Sequence, residues 1–217
     1  MNFEQARFNM VEQQIRPWEV LDFGVLDVLM SVRREEFVPE AYKSLALSEG
    51  QIPLGYGESM LVPVIEGKIL QAVQVKRSDK VLEVGAGSGY FAALLAAKAD
   101  WVRTVDIEPA LVNMAHDNLK RYGVENVIVE EGDAVCGWPG SAPYDLIVVS
   151  GGVPFIPESL LQQIKVGGRL FAFVGEAPLM TAQLVTCVAE GEYRTESLFE
   201  NLVPMMRNAP RKSQFKF

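Results

Sequence analysis

The hydrophobic positions of the chain follow two spacings, one typical of amphipathic helices and one typical of buried strands. Residues 1–45 read as helical, with apolar side chains at helical spacing between Val20 and Val32, and with Pro17 and Pro39 on either side of that helix. The stretch 48–63 (SEGQIPLGYGESMLVP) holds three glycines and two prolines, a composition that predicts a shaped loop without regular structure. Long glycine-rich loops often close over ligands.

From position 63 onward, predicted helices and strands alternate. The predicted strands span 81–84, 102–106, 127–129, 146–149, 170–174, 184–189 and 193–198. Of the four predicted helices, the first ends near 75, the second ends near 98, the third spans 109–122 and the fourth spans about 157–164. Runs such as VLEV, LIVV and LFAFV are nearly all apolar, as expected of strands buried on both faces. The alternation predicts a parallel sheet covered by helices on both sides. The last two strands, joined by an EGE turn, fit an antiparallel hairpin at its edge.

The composition fits one globular domain with a sizeable core, because 49% of the 217 residues are hydrophobic and 22% are charged. A net charge of −8 lacks the basic footprint of a nucleic-acid-binding protein. Cys136 and Cys187 match no metal-ligand spacing and predict free thiols. The N-terminus lacks the apolar core of a signal peptide, and no run approaches the ~20 apolar residues of a membrane span. We therefore expect a cytoplasmic protein without a nucleic-acid or membrane partner.

The most informative stretch is VLEVGAGSGY, in which a predicted strand runs into Gly85, Gly87 and Gly89. A glycine turn between a strand and a helix lies at the carboxyl edge of a parallel sheet, where such folds bind ligands. The dinucleotide fingerprint G-x-G-x-x-G would place its last glycine where Tyr90 stands, which disfavours nicotinamide cofactors. Glu83 lies within the strand, and its carboxylate would repel a pyrophosphate but attract an ammonium group. The turn therefore predicts a ligand that carries a cation at this point.

Two further acids follow neighbouring predicted strands. Asp106 comes seventeen residues after Gly89, about where these folds place an acid on ribose hydroxyls, although it could instead cap the helix that follows. Gly132 and Asp133, in EEGDAV, reach the same edge and suit an amino group of adenine. A nucleoside with a positively charged amino-acid tail is S-adenosylmethionine, which is the predicted cofactor.

These residues resemble those of S-adenosylmethionine-dependent methyltransferases, and from about residue 10 to residue 204 the chain is similar to the protein-L-isoaspartate O-methyltransferase family. The family pattern is present in MVEQQI, VRREEFVPEAY, IPLGYGESMLVP, VLEVGAGSGYFAALLA, NVIVEEGD, PYDLIVVSGG and GGRLFAFVGE. The resemblance implies an α/β fold, a Rossmann-like doubly wound mixed seven-stranded sheet with an N-terminal helical cap. Residues 1–62 would form the cap and a glycine-rich substrate loop of the same domain, and residues 63–217 the cofactor-binding core.

The resemblance also implies an activity, the transfer of a methyl group to a carboxylate of a damaged (isoaspartyl) protein or peptide, without a metal. The implied cofactor-binding residues are Glu83, Gly85, Ala86, Gly87, Ser88, Gly89, Asp106, Ile107, Gly132, Asp133, Ala134 and Ser150. The family usually reads G-D-G where this chain has an alanine in the third place.

The chain departs from the family pattern where the acceptor is held. Family members typically read G-x-G-Q-T-I-S-x-P, and their serine is taken to position the acceptor, but Leu61 stands in its place here. An A-Y-x-D stretch is also expected ahead of the loop, where this chain reads LALSEG. Ser59 could supply a hydroxyl, since positions two apart in an extended segment point the same way, or it takes the structural role of the family threonine.

The leucine predicts normal cofactor binding with weak or absent methylation of isoaspartyl peptides, and Leu61→Ser is expected to raise that activity. Two other interpretations stay open. One is a methyltransferase with a less polar, small-molecule acceptor, and the other is a catalytically silent homologue that binds S-adenosylmethionine.

The remaining candidates are weaker. His116 is the single histidine and lies on a predicted helix that covers the sheet, so we expect it at the surface. Met60, Met205 and Met206 could line a pocket but are interpreted as packing residues. The basic tail from Arg207 onward is expected to fray in solvent, although it could contact a polyanion. The oligomeric state is not predicted.

Overall fold

The computed structural model of the protein describes residues 2–211. Its strands are β1 Ile52–Gly55, β2 Glu58–Met60, β3 Lys80–Val84, β4 Trp101–Asp106, β5 Val127–Glu131, β6 Tyr144–Val153, β7 Ile164–Glu176, β8 Leu179–Ala189 and β9 Glu192–Glu200. Its α-helices are α1 Phe3–Asn9, α2 Phe23–Ser31, α3 Pro63–Val73, α4 Tyr90–Ala96, α5 Pro109–Tyr122 and α6 Glu158–Leu161.

Seven strands form one mixed sheet in the order β5-β4-β3-β6-β7-β8-β9. The pairs from β5 to β7 are parallel, and β8 and β9 pair antiparallel at one edge. This is the mixed seven-stranded, Rossmann-like sheet that the sequence predicts. The chain leaves β3 toward β4 on one side and later returns to β6 on its other side. The order therefore reverses at β3, and such a switch point opens a crevice at the carboxyl ends of the strands.

The sheet separates two hydrophobic cores. Val81 and Val102 face a core that also contains Met10 and Leu29 of the N-terminal segment, whereas Leu82 packs in the core on the opposite face. Both faces of the central strands are buried because neighbouring residues of a strand point to opposite sides. This burial explains the uninterrupted apolar runs in the sequence.

The helical prediction for residues 1–45 is confirmed in part. Between α1, α2 and the first strand lie one π-helical and three 3-10 segments: Met10–Ile15, Arg16–Trp18, Arg34–Glu36 and Glu40–Leu45. Glu19 breaks the first run in the left-handed region (φ 67°). The second run begins where Asp22 Oδ1 accepts a hydrogen bond from the Val25 N–H at 2.9 Å, an N-cap that the apolar spacing alone does not reveal.

The prediction of no regular structure in the glycine-rich loop was wrong. Strands β1 and β2 form an antiparallel hairpin there, with Ile52 paired to Met60. The turn is made by Gly55, Tyr56 and Gly57, all with positive φ (88°, 58° and 82°). The glycines favour the tight hairpin because they adopt such angles without strain, so the composition indicates a turn between two short strands.

Two smaller differences concern length. The helix predicted near 157–164 is the short α6, and the strands β6, β7 and β8 extend well beyond their apolar centres. Within residues 2–211, no helix combines the length and the apolar character that a membrane crossing requires.

Candidate active site

A cleft of about 980 Å³, including its open mouth, lies at the carboxyl ends of β3, β4 and β5 and along the last residues of β6. The β1–β2 hairpin and the first turn of α3 close it on one side, and the segment 204–207 closes it on another. A cleft at this edge of an α/β sheet is the position where ligands of such folds bind.

Glu83 lines the cleft and is completely buried in β3. The Thr104 hydroxyl donates to Glu83 Oε2 at 2.6 Å, and the Ser150 hydroxyl donates to Oε1 at 3.3 Å. Burial raises the pKa of Glu83 to about 8, although these two hydrogen bonds lower it. A ligand ammonium beside this carboxylate would compensate the cost of burying its charge.

Asp106 holds the glycine turn in place. The Gly87 N–H donates to Asp106 Oδ2 and the Glu108 N–H donates to Oδ1, both at 3.0 Å. An ionised carboxylate accepts about four hydrogen bonds, so free acceptor sites remain for ligand hydroxyls. Asp106 does not cap the helix that follows, because Glu108 is the N-cap of α5 and accepts from the Ala110 N–H at 3.4 Å. The helix-cap alternative for Asp106 is therefore wrong.

The end of β5 supplies the third acid. Asp133 Oδ1 accepts from the Val135 N–H at 3.2 Å, and Oδ2 accepts from the Asn208 side-chain amide at 2.9 Å. A Cβ added at Gly132 would lie 2.6 Å from the Trp138 indole, so a larger residue at 132 would displace that ring. The turn thus presents one carboxylate to the cleft and is closed behind by an indole.

These features fit a nucleoside with a cationic tail. Carboxylates of three neighbouring strands meet at one edge, one fully buried and one, Asp106, only 7% exposed. Gly85, with φ 99°, keeps the backbone of the turn bare beside Glu83. A buried acid suits an ammonium, and the other two suit hydroxyl and amino donors.

The opposite end of the cleft includes an apolar part. Ser59, Met60 and Leu61 all line it, together with Leu54 of the hairpin. Leu61 therefore places an apolar side chain at the wall of the cleft.

A buried ion pair lies behind Leu61. Arg34 is completely buried, donates to the Leu61 carbonyl at 2.7 Å through Nη2, and pairs through Nη1 with Glu66 Oε2. Its guanidinium stacks over the Tyr90 ring at 4.9 Å from the centroid. Glu66 and Tyr90 both line the cleft.

Residues 204–208, called here the C-terminal strap, cross the mouth of the cleft. Gly152 N–H donates to the Pro204 carbonyl and Met206 N–H donates to the Gly152 carbonyl, both at 2.8 Å. Arg207 donates to Glu58 Oε1 at 3.1 Å, to Glu108 Oε2 at 2.9 Å and to the Tyr56 carbonyl at 2.8 Å. The expectation that the basic tail frays was wrong for Arg207, and the later tail residues 212–217 lie outside the described residues.

Comparison with known proteins decides the family. The family model of protein-L-isoaspartate(D-aspartate) O-methyltransferase matches residues 6–206. The chain belongs to the protein-L-isoaspartate O-methyltransferase family. A protein-L-isoaspartate O-methyltransferase 1 of Syntrophobacter fumaroxidans is 38% identical over 90% of this chain and 91% of its own length. One of Rhodopseudomonas palustris (strain HaA2) is 42% identical over 80% of this chain and 71% of its own length.

Solved structures of protein-L-isoaspartate O-methyltransferases share the fold. One has a TM-score of 0.82 at 25% identity, with 94% of this chain and 66% of that chain aligned. A Plasmodium falciparum protein described as a putative member, solved with S-adenosyl-L-homocysteine, has a TM-score of 0.80 at 17% identity over 95% of this chain and 99% of its own. At that identity the second likeness establishes the fold alone.

The structure brings nearly all of the predicted methyltransferase site residues to one cleft. Those that line it are Ser59, Leu61, Glu83, Gly85, Ala86, Gly87, Ser88, Asp106, Ile107, Gly132, Asp133, Ala134 and Ser150. Gly89 is not among them. A Cβ on Gly89 would approach Ala115 of α5 to 3.1 Å, so this glycine permits close packing of α4 on α5.

Several lining residues escaped the sequence reasoning. They are Gln51, Glu58, Glu66, Tyr90, Phe91, Pro204 and Arg207. Met60, Met205 and Met206 do line the cleft, so their interpretation as packing residues alone is incomplete. The one signal that could have found Glu66 is an acid in an otherwise apolar helical turn. His116 is exposed on α5, as expected.

Proposed function

We propose that the protein is an S-adenosylmethionine-dependent methyltransferase that esterifies the free carboxylate of an isoaspartyl residue in a protein or peptide. The observation that carries this proposal is Glu83, a fully buried carboxylate beside the glycine turn at the switch point of the sheet. Family membership over residues 6–206 supplies the acceptor class.

In this proposal each strand end has one task. Glu83 binds the ammonium of the methionine moiety, with Thr104 and Ser150 holding its two oxygens. Asp106 accepts hydrogen bonds from the ribose hydroxyls, and Asp133 accepts one from the adenine amino group. Gly85 lets the backbone approach the ligand.

The Asn208 side-chain amide of the strap already donates to Asp133 Oδ2. An ionised carboxylate accepts about four hydrogen bonds, so Asp133 has acceptor sites left for an adenine amino group while it keeps this contact.

The chemistry requires alignment more than proton transfer. When bound, S-adenosylmethionine supplies a sulfonium methyl group, and the new C–O bond forms as the C–S bond breaks and its electron pair passes to sulfur. A carboxylate acceptor with a pKa near ~4 is ionised at neutral pH, so no general base is needed. Holding the reacting atoms in line contributes roughly 7–11 kcal/mol to such a step.

The replacement of serine by Leu61 weakens this alignment. A carboxylate that loses one hydrogen-bond donor in a desolvated site costs about 1–3 kcal/mol. We therefore propose that isoaspartyl methylation by this chain is slower than in relatives that keep the serine, while cofactor binding is normal.

The test is a label-transfer assay. Purified protein with methyl-labelled S-adenosylmethionine is given an isoaspartyl peptide and the same peptide with ordinary aspartate. Base-labile label on the isoaspartyl peptide alone is the expected result. Binding of S-adenosylmethionine without label on either peptide would overturn the assignment of the acceptor. Label on small molecules of a cell extract would instead indicate a small-molecule acceptor.

We also propose a cytoplasmic location. Its support is that Cys136 is an exposed free thiol and Cys187 a buried one, and reducing compartments maintain thiols in this state.

A further inference from the structure

We propose that Glu66 positions the acceptor in this protein: its protonated carboxyl group donates a hydrogen bond to the acceptor carboxylate, and its ionised form repels that carboxylate. The inference rests on the proposed function, since it assumes a carboxylate acceptor. The resemblance assigns this hydrogen bond to a serine at position 61, whereas the inference assigns it to an acid five residues further along the chain, in the first turn of α3.

The position of Glu66 carries the inference. It lies in the first turn of α3, lines the cleft and is 2% exposed. Arg34 pairs with its Oε2, and no donor among residues 2–211 reaches its Oε1. The same Arg34 donates to the Leu61 carbonyl at 2.7 Å. One guanidinium group therefore connects Glu66 to the backbone of the residue that replaces the serine.

Arg34 cannot attract the acceptor by itself while Glu66 is ionised. The arginine is completely buried, and its donors are directed to Glu66 and to the carbonyls of Leu61 and Ala46. The ionised pair is neutral overall, and of the two partners only the acid lines the cleft. An incoming carboxylate would meet a carboxylate, and like charges at close range in a desolvated site strongly disfavour binding.

Four charged or titratable groups from four segments face Glu66. They are Arg34 of the 3-10 turn 34–36, Glu49 of the loop before β1, Glu83 of β3 and Tyr90 of α4. Burial raises the pKa of Glu66 to about 7, Arg34 lowers it, and Glu49 raises it. The carboxyl group thus changes its protonation state within the range in which enzymes are assayed.

Tyr90 supplies a second, independent sign that this end of the cleft is built for a ligand. Its hydroxyl is buried and has no hydrogen-bond partner among the described residues, and a buried polar atom without a partner is costly. Burial raises the pKa of Tyr90, so the phenol keeps its proton and remains a donor. An acceptor carboxylate between Tyr90 and neutral Glu66 would satisfy both hydroxyl donors.

The experiment measures KM and kcat for an isoaspartyl peptide at saturating S-adenosylmethionine across pH 6 to 8. The KM of the wild type is expected to rise about tenfold over this range as Glu66 ionises, with a smaller change in kcat. Glu66→Gln keeps an uncharged N–H donor at all pH values, so its KM should be independent of pH and several-fold below that of the wild type at pH 8. Glu35→Gln is the matched control, because Glu35 is a buried acid paired with Arg7 outside the cleft.

A wild-type KM that does not change with pH, or a Glu66→Gln variant that keeps the wild-type rise, would overturn the inference. If the variant does not fold, as judged by thermal melting and by S-adenosylhomocysteine binding, Glu49→Gln replaces it. The Glu49 charge raises the pKa of Glu66, so its removal should move the rise in KM to lower pH. If the wild type methylates no isoaspartyl peptide at any pH, the result contradicts the proposed function, because the acceptor itself is wrong. If it methylates the peptide with a flat KM profile, the result contradicts only the proposed role of Glu66.

Discussion

The two ends of the cleft are built in different ways. At the proposed cofactor end, Glu83 lies near the end of β3, Asp106 ends β4 and Asp133 follows β5, and the parallel sheet alone brings them together. At the acceptor end, Arg34, Leu61 and the C-terminal strap come from segments far apart in the chain. The first end depends on the sheet, which a change of one residue leaves intact. The second depends on contacts between loops, which single substitutions alter.

The largest effect is expected at Glu83. Glu83→Gln removes the charge that is proposed to bind the ammonium while keeping the shape of the side chain, and a hydrogen bond to a charged group contributes about 1.5–3 kcal/mol. The affinity for S-adenosylhomocysteine should fall about 10- to 150-fold by calorimetry. Glu131→Gln, at the exposed end of β5, is the control and should change nothing. An unchanged affinity of the Glu83 variant would mean that the buried acid has another role.

Binding of the cofactor should also depend on pH. The pKa of Glu83 in the ligand-free protein is raised to about 8 by burial, so below that value the site must lose a proton before it can bind an ammonium. Affinity should therefore increase with pH, by up to about 50-fold between pH 6 and pH 8, and binding should release protons. Calorimetry in two buffers of different ionisation enthalpy counts those protons. Binding at pH 6 without proton release would show that Glu83 is already ionised there.

This contrast also explains what the sequence could predict. Apolar runs in the sequence predict the strands and their order along the chain. The three acids lie in or next to those runs, so the sheet and the proposed cofactor end can both be predicted. Glu66 and Arg34 are charged residues in helical segments and would normally be assigned to a solvated face. Only the packing of the N-terminal segment on α3 buries them together.

The hairpin shows the same limit on a smaller scale. Gly55 and Gly57 indicate a turn, but the pairing of Ile52 with Met60 depends on burial of their side chains against the core, which composition does not report. Arg207 likewise belongs to a basic tail by sequence, and its partners lie 99 to 151 residues away along the chain.

A smaller effect is expected at Leu61. Leu61→Ser should raise kcat/KM for an isoaspartyl peptide about 5- to 10-fold at pH 8, because one neutral hydrogen bond contributes about 1 kcal/mol. Leu61→Ala is the matched control, since it opens the same space without a hydroxyl. If alanine raises the rate as much as serine, relief of crowding rather than hydrogen bonding explains the gain.

The smallest effect is expected at the C-terminal strap. The Arg207 side chain is 35% exposed, and ion pairs with this much solvent contact contribute at most about 1 kcal/mol to stability. Arg207→Gln should therefore leave the melting temperature nearly unchanged. The hairpin would lose its two hydrogen bonds to Arg207, at Glu58 and at the Tyr56 carbonyl, however, and brief chymotrypsin treatment should cut faster after Tyr56, which is exposed at the turn.

Peptide mass spectrometry measures that cut directly. Arg77→Gln is the control, because Arg77 pairs with Asp100 at the surface, away from the cleft. Bound S-adenosylhomocysteine should slow the cut in the wild type more than in the Arg207 variant, since the strap touches both the hairpin and the Asp133 end of the cleft. Equal cutting of the wild type and the Arg207 variant would show that the β1–β2 hairpin is held by its own core contacts. The proposed acceptor end would then be rigid even though it is formed by contacts between loops.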